Sequence, residues 1–400
     1  MSHATSKDES ATRLTGHQPG LDGVRGLAIL MVMAIHFVGD ATAQTSLQAL
    51  VIKAAGYGLL GVDLFFVLSG FLITGILLES KSKPHYFRNF YARRTLRIFP
   101  LYYGVLAVLF LVLPLFVSLS PLFEQAREHQ GWLWTYTANF YVAYTASWSS
   151  LTYVTHFWSL AIEEHFYLLW PLVVFMLPRD LLERVCIGVI AAGLALRIGL
   201  ALAGVSEISI SVLTPCRIDT LCVGGLLAIV AQRQGGPNLL LRLCGKAALA
   251  LGAAIFAVSL FGALTHVGLS VLHQVRNTLY AFFFGALTLL SLRPSTELVS
   301  RVFRFGVLRF FGKYSYGLYV YHALLTWYFA ETGVEARLDN VLGNHWLAIG
   351  AKAAIGVSLS VAIAFLSYEL YEKRFLAHKR FFEAKAAPAS TPRVGATNVV

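Results

Sequence analysis

Apolar runs of roughly fourteen to twenty-three residues recur along almost the whole of this chain, and no other feature constrains its fold as much. A run of about twenty apolar residues is long enough to cross a bilayer as a helix. Ten such spans are predicted, at 21–37, 57–78, 98–117, 157–177, 185–202, 218–231, 247–264, 271–292, 314–329 and 346–368. The 400 residues are 57% hydrophobic and only 13% charged, whereas a soluble domain carries about 25% charged residues. The reading is an all-α polytopic membrane protein of about ten transmembrane helices.

The formal net charge of +11 raises nucleic acid as a partner, but in a membrane chain the distribution matters more than the sum. Basic residues alternate from loop to loop. One set of loops holds Lys81, Lys83, Arg88, Arg93, Arg94 and Arg97, then Arg179 and Arg184, then Arg233, Arg242 and Lys246, then Arg293, Arg301, Arg304, Arg309 and Lys313. The other set holds only Lys53, Arg127, Arg217 and Arg337. The positive-inside rule places the first set, and both termini, in the cytoplasm. Residues 1–20 read as a polar tail, 21–376 as the membrane domain, and 377–400 as a basic and then disordered tail. Ala41-Thr42-Ala43 resembles a signal-peptidase site, but Asp40 beside it and Arg25 within the apolar run argue against cleavage. Cys186, Cys216, Cys222 and Cys244 are scattered without metal-ligand spacing, so neither a metal site nor a disulfide framework is expected.

The first span, LDGVRGLAILMVMAIHF, carries Arg25 and His36. Eleven residues is three helical turns plus roughly 20°, so both lie on one face, about 16 Å apart along the axis. With Asp22 and Arg25 near one surface, His36 is expected at mid-depth, where an ionisable group is a functional-site hypothesis. The plain alternative is a buried histidine bonded to a neighbouring helix. Span four holds Glu163, Glu164 and His165 in a row, and these need a polar cavity. Arg93, Arg94 and Arg97 share one end of span three, where guanidinium forks suit either phosphates or lipid head groups. Further polar residues within or beside spans are Asp63, Ser69, Arg197, Arg217, Asp219, His273, Arg276 and His322. Small residues let helices approach closely, so packing is the simpler reading of Ser69-Gly70. The 118–156 segment, rich in Trp and Tyr, reads as an outer loop with interfacial stretches.

Taken in order, these segments resemble the acyltransferase-3 family of integral membrane acyltransferases. LDGVRGLAILMVMAIHF resembles its opening arginine–histidine motif, GVDLFFVLSGFLIT its second span, ARRTLRIFPLYY its Arg-x-x-Arg element, and FWSLAIEEHFYLLWPL its double-glutamate signature. RIDTLCVGGLLA, FGKYSYGLYVYHALL and SYELYEKRFL resemble later segments. His165 stands where glutamine is usual, and Arg374 where proline is expected.

The resemblance implies an O-acyltransferase of the bacterial inner membrane that moves an acyl group, usually acetyl, from cytosolic acyl-CoA to a hydroxyl. The acceptor would be an exported or lipid-linked glycan, or a small glycosylated metabolite such as a macrolide. Under that reading Arg93, Arg94 and Arg97 hold the donor's phosphates and His36 is the general base. Arg25 positions the first helix or the donor. Glu163 or Glu164 orients His36, and their separation of about 100° on the helix keeps both from facing one site. Asp63, Ser69, Arg217, Asp219 and His322 are candidates for substrate contact or support. The rival class is a proton-coupled transporter, which also uses intramembrane Arg, His and Glu. The internal repeats with paired broken helices common in carriers are not found in the sequence. A membrane sensor using the same fold is a third class.

Overall fold

All ten predicted segments are helical in the computed structural model, which describes residues 18–118, 120–265 and 269–382. The principal helices are α1 (Pro19–Gly39), α2 (Ser46–Ser80), α3 (Tyr86–Leu115), α4 (Phe157–Met176), α5 (Arg179–Leu202), α6 (Ile218–Ala231), α7 (Gly236–Thr265), α8 (Leu269–Ser291), α9 (Ser315–Thr332) and α10 (His345–Phe382). Among the described residues, seven helices are long and apolar enough to cross a membrane, namely all but α6, α8 and α9. The exceptions have physical causes. Helix α6 has only 14 residues, α8 opens on His273, Gln274, Arg276 and Asn277, and α9 has 18 residues including several tyrosines and His322. Of the tails expected at 1–20 and 377–400, residues 1–17 and 383–400 lie outside the described residues, and Pro19 and Gly20 already belong to α1. Residues 377–382, assigned to a tail from sequence, instead continue α10, and His378–Phe382 packs against α3.

Two close crossings set the frame. Helices α2 and α6 meet at Gly70 and Gly224: a Cβ on Gly70 would lie 1.9 Å from the Leu221 carbonyl oxygen, and one on Gly224 would lie 2.0 Å from that of Val67. Backbones this near leave room for no side chain, as at small-residue membrane crossings. Helix α1 meets the short helix Gly306–Lys313 in the same way, with Gly26 against the Leu308 carbonyl and Gly312 against that of Asp22. The frame therefore grips α1 through its first two turns, the stretch that carries Arg25.

The aromatic 118–156 segment forms three short helices, Pro121–Glu128, Gly131–Trp134 and Ala138–Thr145. It is pinned to α3 by Tyr136, which stacks on Tyr102 at 4.2 Å between ring centroids, and by the Tyr102 hydroxyl, which donates to the Leu133 carbonyl at 2.8 Å. The most thoroughly buried helices are α1, α2, α6 and the inner parts of α4 and α9. Helix α7 buries only Gly236, Cys244 and Gly262.

Candidate active site

A cavity of ≈ 690 Å³ opens among α1, α2, α3, α4 and α9. Basic residues come to it from three helices: Arg25 from α1, Arg93, Arg94 and Arg97 from α3, and Lys379 from the end of α10. The helical spacing of Arg93, Arg94 and Arg97 lets all three reach it. Among the described residues none of those three is in an ion pair. Arg94 rests its guanidinium over the rings of Phe90 and Tyr167, at 5.8 and 5.6 Å from the centroids. Arg25 bonds to Asp22 at 3.0 Å.

Beyond the arginines the lining becomes hydroxyl and carboxyl. Ser69 and Tyr167 share a hydrogen bond of 2.5 Å, and Glu163 sits beside both, within the field of Arg94 and Arg97. Ser69 thus lines the cavity instead of packing a helix crossing, a role its neighbour Gly70 fills. Both Glu163 and Glu164 line the cavity, which corrects the expectation that only one would. The cavity is wide enough to accept residues 100° apart on α4. Glu164 faces the tyrosines Tyr102, Tyr103, Tyr136 and Tyr316, and its Oε1 is buried without a hydrogen-bond partner.

The cavity lining also includes Ser159 and Tyr319. Their hydroxyls share a hydrogen bond of 2.6 Å, so one donates to the other, and the His156 carbonyl, 3.2 Å from Ser159 and 3.0 Å from Tyr319, accepts from the remaining one. His36 is not part of the lining. It occupies a π-helical turn, Ile35–Gly39, that closes α1. This places it within a turn of the end of the helix. Its Nδ1 is 2.8 Å from the Val32 carbonyl, and neither glutamate holds it, contrary to the expectation from sequence. A carbonyl only accepts, so Nδ1 carries the proton and Nε2 keeps its lone pair. The ring of His36 meets that of His322 edge to face, with centroids 5.0 Å apart and planes at 67°.

The remaining candidates lie elsewhere. Arg197 and Asp219 pair at 2.6 Å, and Arg217 and Asp63 pair at 2.6 Å, all four side chains buried. Arg197 also donates to the Cys216 carbonyl and to Thr278, each at 2.6 Å. Asp63, Arg217 and Asp219, expected as substrate or supporting residues, are consumed in these pairs and do not line the cavity. His165 points away as well: its Nδ1 bonds to Thr214 at 2.8 Å and its ring stacks on Phe140. His273 faces Glu207 at 3.6 Å.

Sequence reasoning missed Lys379, Tyr167, Ser159, Tyr319 and His156. Lys379 was hidden in a basic tail that topology alone explains. The others are ordinary polar residues until the helices pack, although Ser159 and Tyr319 stand inside the segments FWSLAIEEHFYLLWPL and FGKYSYGLYVYHALL.

A family model described as an acyltransferase domain matches residues 18–368, nearly the whole membrane domain. The chain belongs to the acyltransferase-3 family. Among curated relatives of this acyltransferase-3 chain, the peptidoglycan O-acetyltransferase OatA of Listeria monocytogenes is 28% identical over 382 residues, covering 92% of this chain and 58% of its own length. A putative O-acetyltransferase of Staphylococcus aureus is 26% identical over 385 residues, covering 90% and 57%. The O-acetyltransferase OatA of Staphylococcus aureus is 28% identical over 323 residues, covering 76% and 50%. The chain thus spans little more than half the length of the curated relatives it matches. No solved structure matches it.

Proposed function

We propose that this membrane protein transfers an acetyl group from acetyl-CoA to a hydroxyl of a glycan, with His36 as general base. The observation that carries the reading is the cavity. Arg93, Arg94, Arg97 and Lys379 line it without carboxylate partners among the described residues, and its lining includes the Ser159–Tyr319 hydroxyl pair. Unpaired guanidiniums in an enclosed site suit a polyphosphate, because each fork offers parallel donors to phosphate oxygens. Coenzyme A has its phosphates at one end and its thioester at the far end of a long flexible arm. Phosphates on the arginines direct that arm toward Ser159 and Tyr319.

The reaction needs a base for the acceptor hydroxyl and donors for the oxyanion that forms at the thioester carbon. His36 is held in the tautomer that accepts at Nε2. Ser159, Tyr319, Ser69 and Tyr167 supply hydroxyl donors along the inner cavity. The basic loops orient the arginine end toward the cytoplasm, where acyl-CoA is found, and leave the His36 end toward the acceptor side. The relatives named as O-acetyltransferases, one of them for peptidoglycan, support a glycan acceptor.

The test uses membrane vesicles containing the full chain and radiolabelled acetyl-CoA. Base-labile label in the glycan fraction is the expected outcome. Label that enters the vesicle lumen without forming esters identifies a carrier and overturns the proposal. In the same assay His36→Ala is expected to lower transfer about a hundred- to ten-thousandfold with acetyl-CoA binding unchanged. A folded variant with parental transfer removes His36 from the chemistry.

A further inference from the structure

His36 is one of three imidazoles in a row. His322 meets His36 at 5.0 Å and His156 at 5.4 Å between ring centroids, and Tyr319 lies 5.4 Å from His156 and 5.6 Å from His322. The rings come from three separate elements: the last turn of α1, the middle of α9, and the residue preceding α4. His322 is fully buried and His156 is 7% exposed. The Nδ1 of His322 donates to the Leu318 carbonyl at 3.0 Å, so its Nε2 carries a lone pair, and that atom has no hydrogen-bond partner. Both ring nitrogens of His156 are likewise buried without a close partner.

Buried polar atoms are almost always bonded, and an acceptor left empty inside a protein is costly. Packing alone gives no reason to keep an imidazole at 322, since phenylalanine would fill much the same space without the penalty. The cluster does not form a metal-holding group among the described residues. What the empty Nε2 lacks is a donor, and His36 becomes one when it takes a proton at its own Nε2.

We propose that His322 is the positioning partner of His36: its Nε2 receives the hydrogen bond of the His36 imidazolium. This rests on the acetyl-transfer reading above. During transfer the acceptor O–H bond breaks and its proton goes to His36. The acceptor oxygen bonds to the acetyl carbon, the C–S bond breaks, and the electron pair leaves on the thiolate. The thiolate leaves from the carbon that the acceptor oxygen has attacked and takes up the proton that His36 received, so the products are an ester and a free thiol and no proton is left over. An interaction that exists only once His36 is protonated is of the kind that lowers a barrier without tightening substrate binding.

Two amides distinguish this role from a structural one. His322→Gln places an oxygen near the Nε2 position, and His322→Asn places its amide near Nδ1. If Nε2 matters, the order of turnover is parent, then Gln, then Asn, with kcat down about tenfold and about a hundredfold and KM for acetyl-CoA unchanged. If only the bond to Leu318 matters, the Asn variant keeps parental turnover and the Gln variant does not, which overturns the proposal. Parental kcat in both variants also overturns it, as does a loss that appears in KM or in melting temperature alone.

A parent protein that releases no thiol in the presence of acetyl-CoA and glycan refutes the acetyl-transfer reading itself, whereas an active parent with indifferent His322 variants refutes only this inference.

Discussion

The protein uses arginine in two regions for opposite purposes. In the α5–α6 region Arg197 and Arg217 are each locked to one aspartate at 2.6 Å, with side chains 2–9% exposed. At the cavity Arg93, Arg94 and Arg97 have no carboxylate bonded to them among the described residues and stand around open space. Both groups were conspicuous in the sequence as cations in or beside apolar spans. The difference teaches that an intramembrane arginine signals a ligand only when the fold has not already supplied its counter-ion. Removing half of a satisfied buried pair harms the fold. Removing an unsatisfied cation from a cavity harms binding.

The largest effect is therefore expected in the paired region. Arg197→Ala leaves Asp219 as an unpaired buried charge and is expected to cost about 3–5 kcal/mol, read as loss of monodisperse, folded protein in detergent. Replacing both Arg197 and Asp219 with leucine is expected to restore most of that stability, because a buried pair exchanged for apolar side chains is often near neutral. A double variant as unstable as the single one, or an Arg197→Ala protein that folds normally but loses acetyl-CoA binding, would erase the distinction between the two regions.

A smaller effect on stability and a clear one on binding is expected at the cavity. Arg94→Ala and Arg97→Ala are each expected to weaken acetyl-CoA binding by about 1.5–3 kcal/mol, roughly ten- to a hundred-and-fiftyfold, with the melting temperature nearly unchanged. Lysine at either position should recover only part of the loss, since it offers a point charge in place of a fork. Calorimetric titration in detergent measures this, and parental affinity in Arg94→Ala would make the cluster a lipid anchor.

The smallest effect is expected at Lys379, at the cavity's edge near the end of the described chain. Lys379→Ala is expected to weaken acetyl-CoA binding by about 0.5–1 kcal/mol, with the difference shrinking as salt is raised. A salt-independent loss would place Lys379 deeper in the site than its position at the end of α10 suggests.

Much of this was legible in the sequence, because apolar length and helical spacing are local properties. The ten helices were visible as runs, and the three arginines of α3 were visible as one basic face. The resemblance to the acyltransferase-3 family also lay in contiguous motifs. Other features depended on partners remote in the chain. That Asp63 pairs with Arg217 across 154 positions, and Arg197 with Asp219, no local pattern reveals. That Glu163 and Glu164 both reach the cavity depends on its width, which is set by α1, α2, α3 and α9 together.

The sequence by itself determined that this chain is a bundle of apolar helices and that Arg25 and His36 share one helix. Each of these follows from the period of the helix and the cost of charge in hydrocarbon, which act within a single segment. Only the tertiary structure decided that Arg25 lines the cavity and that His36, on the same helix, does not. It also decided that the residue touching His36 is His322, 286 positions away, and that a carbonyl of its own helix fixes its tautomer. Helix packing makes that choice, because the glycine crossings that hold α1 against its neighbours determine which faces meet.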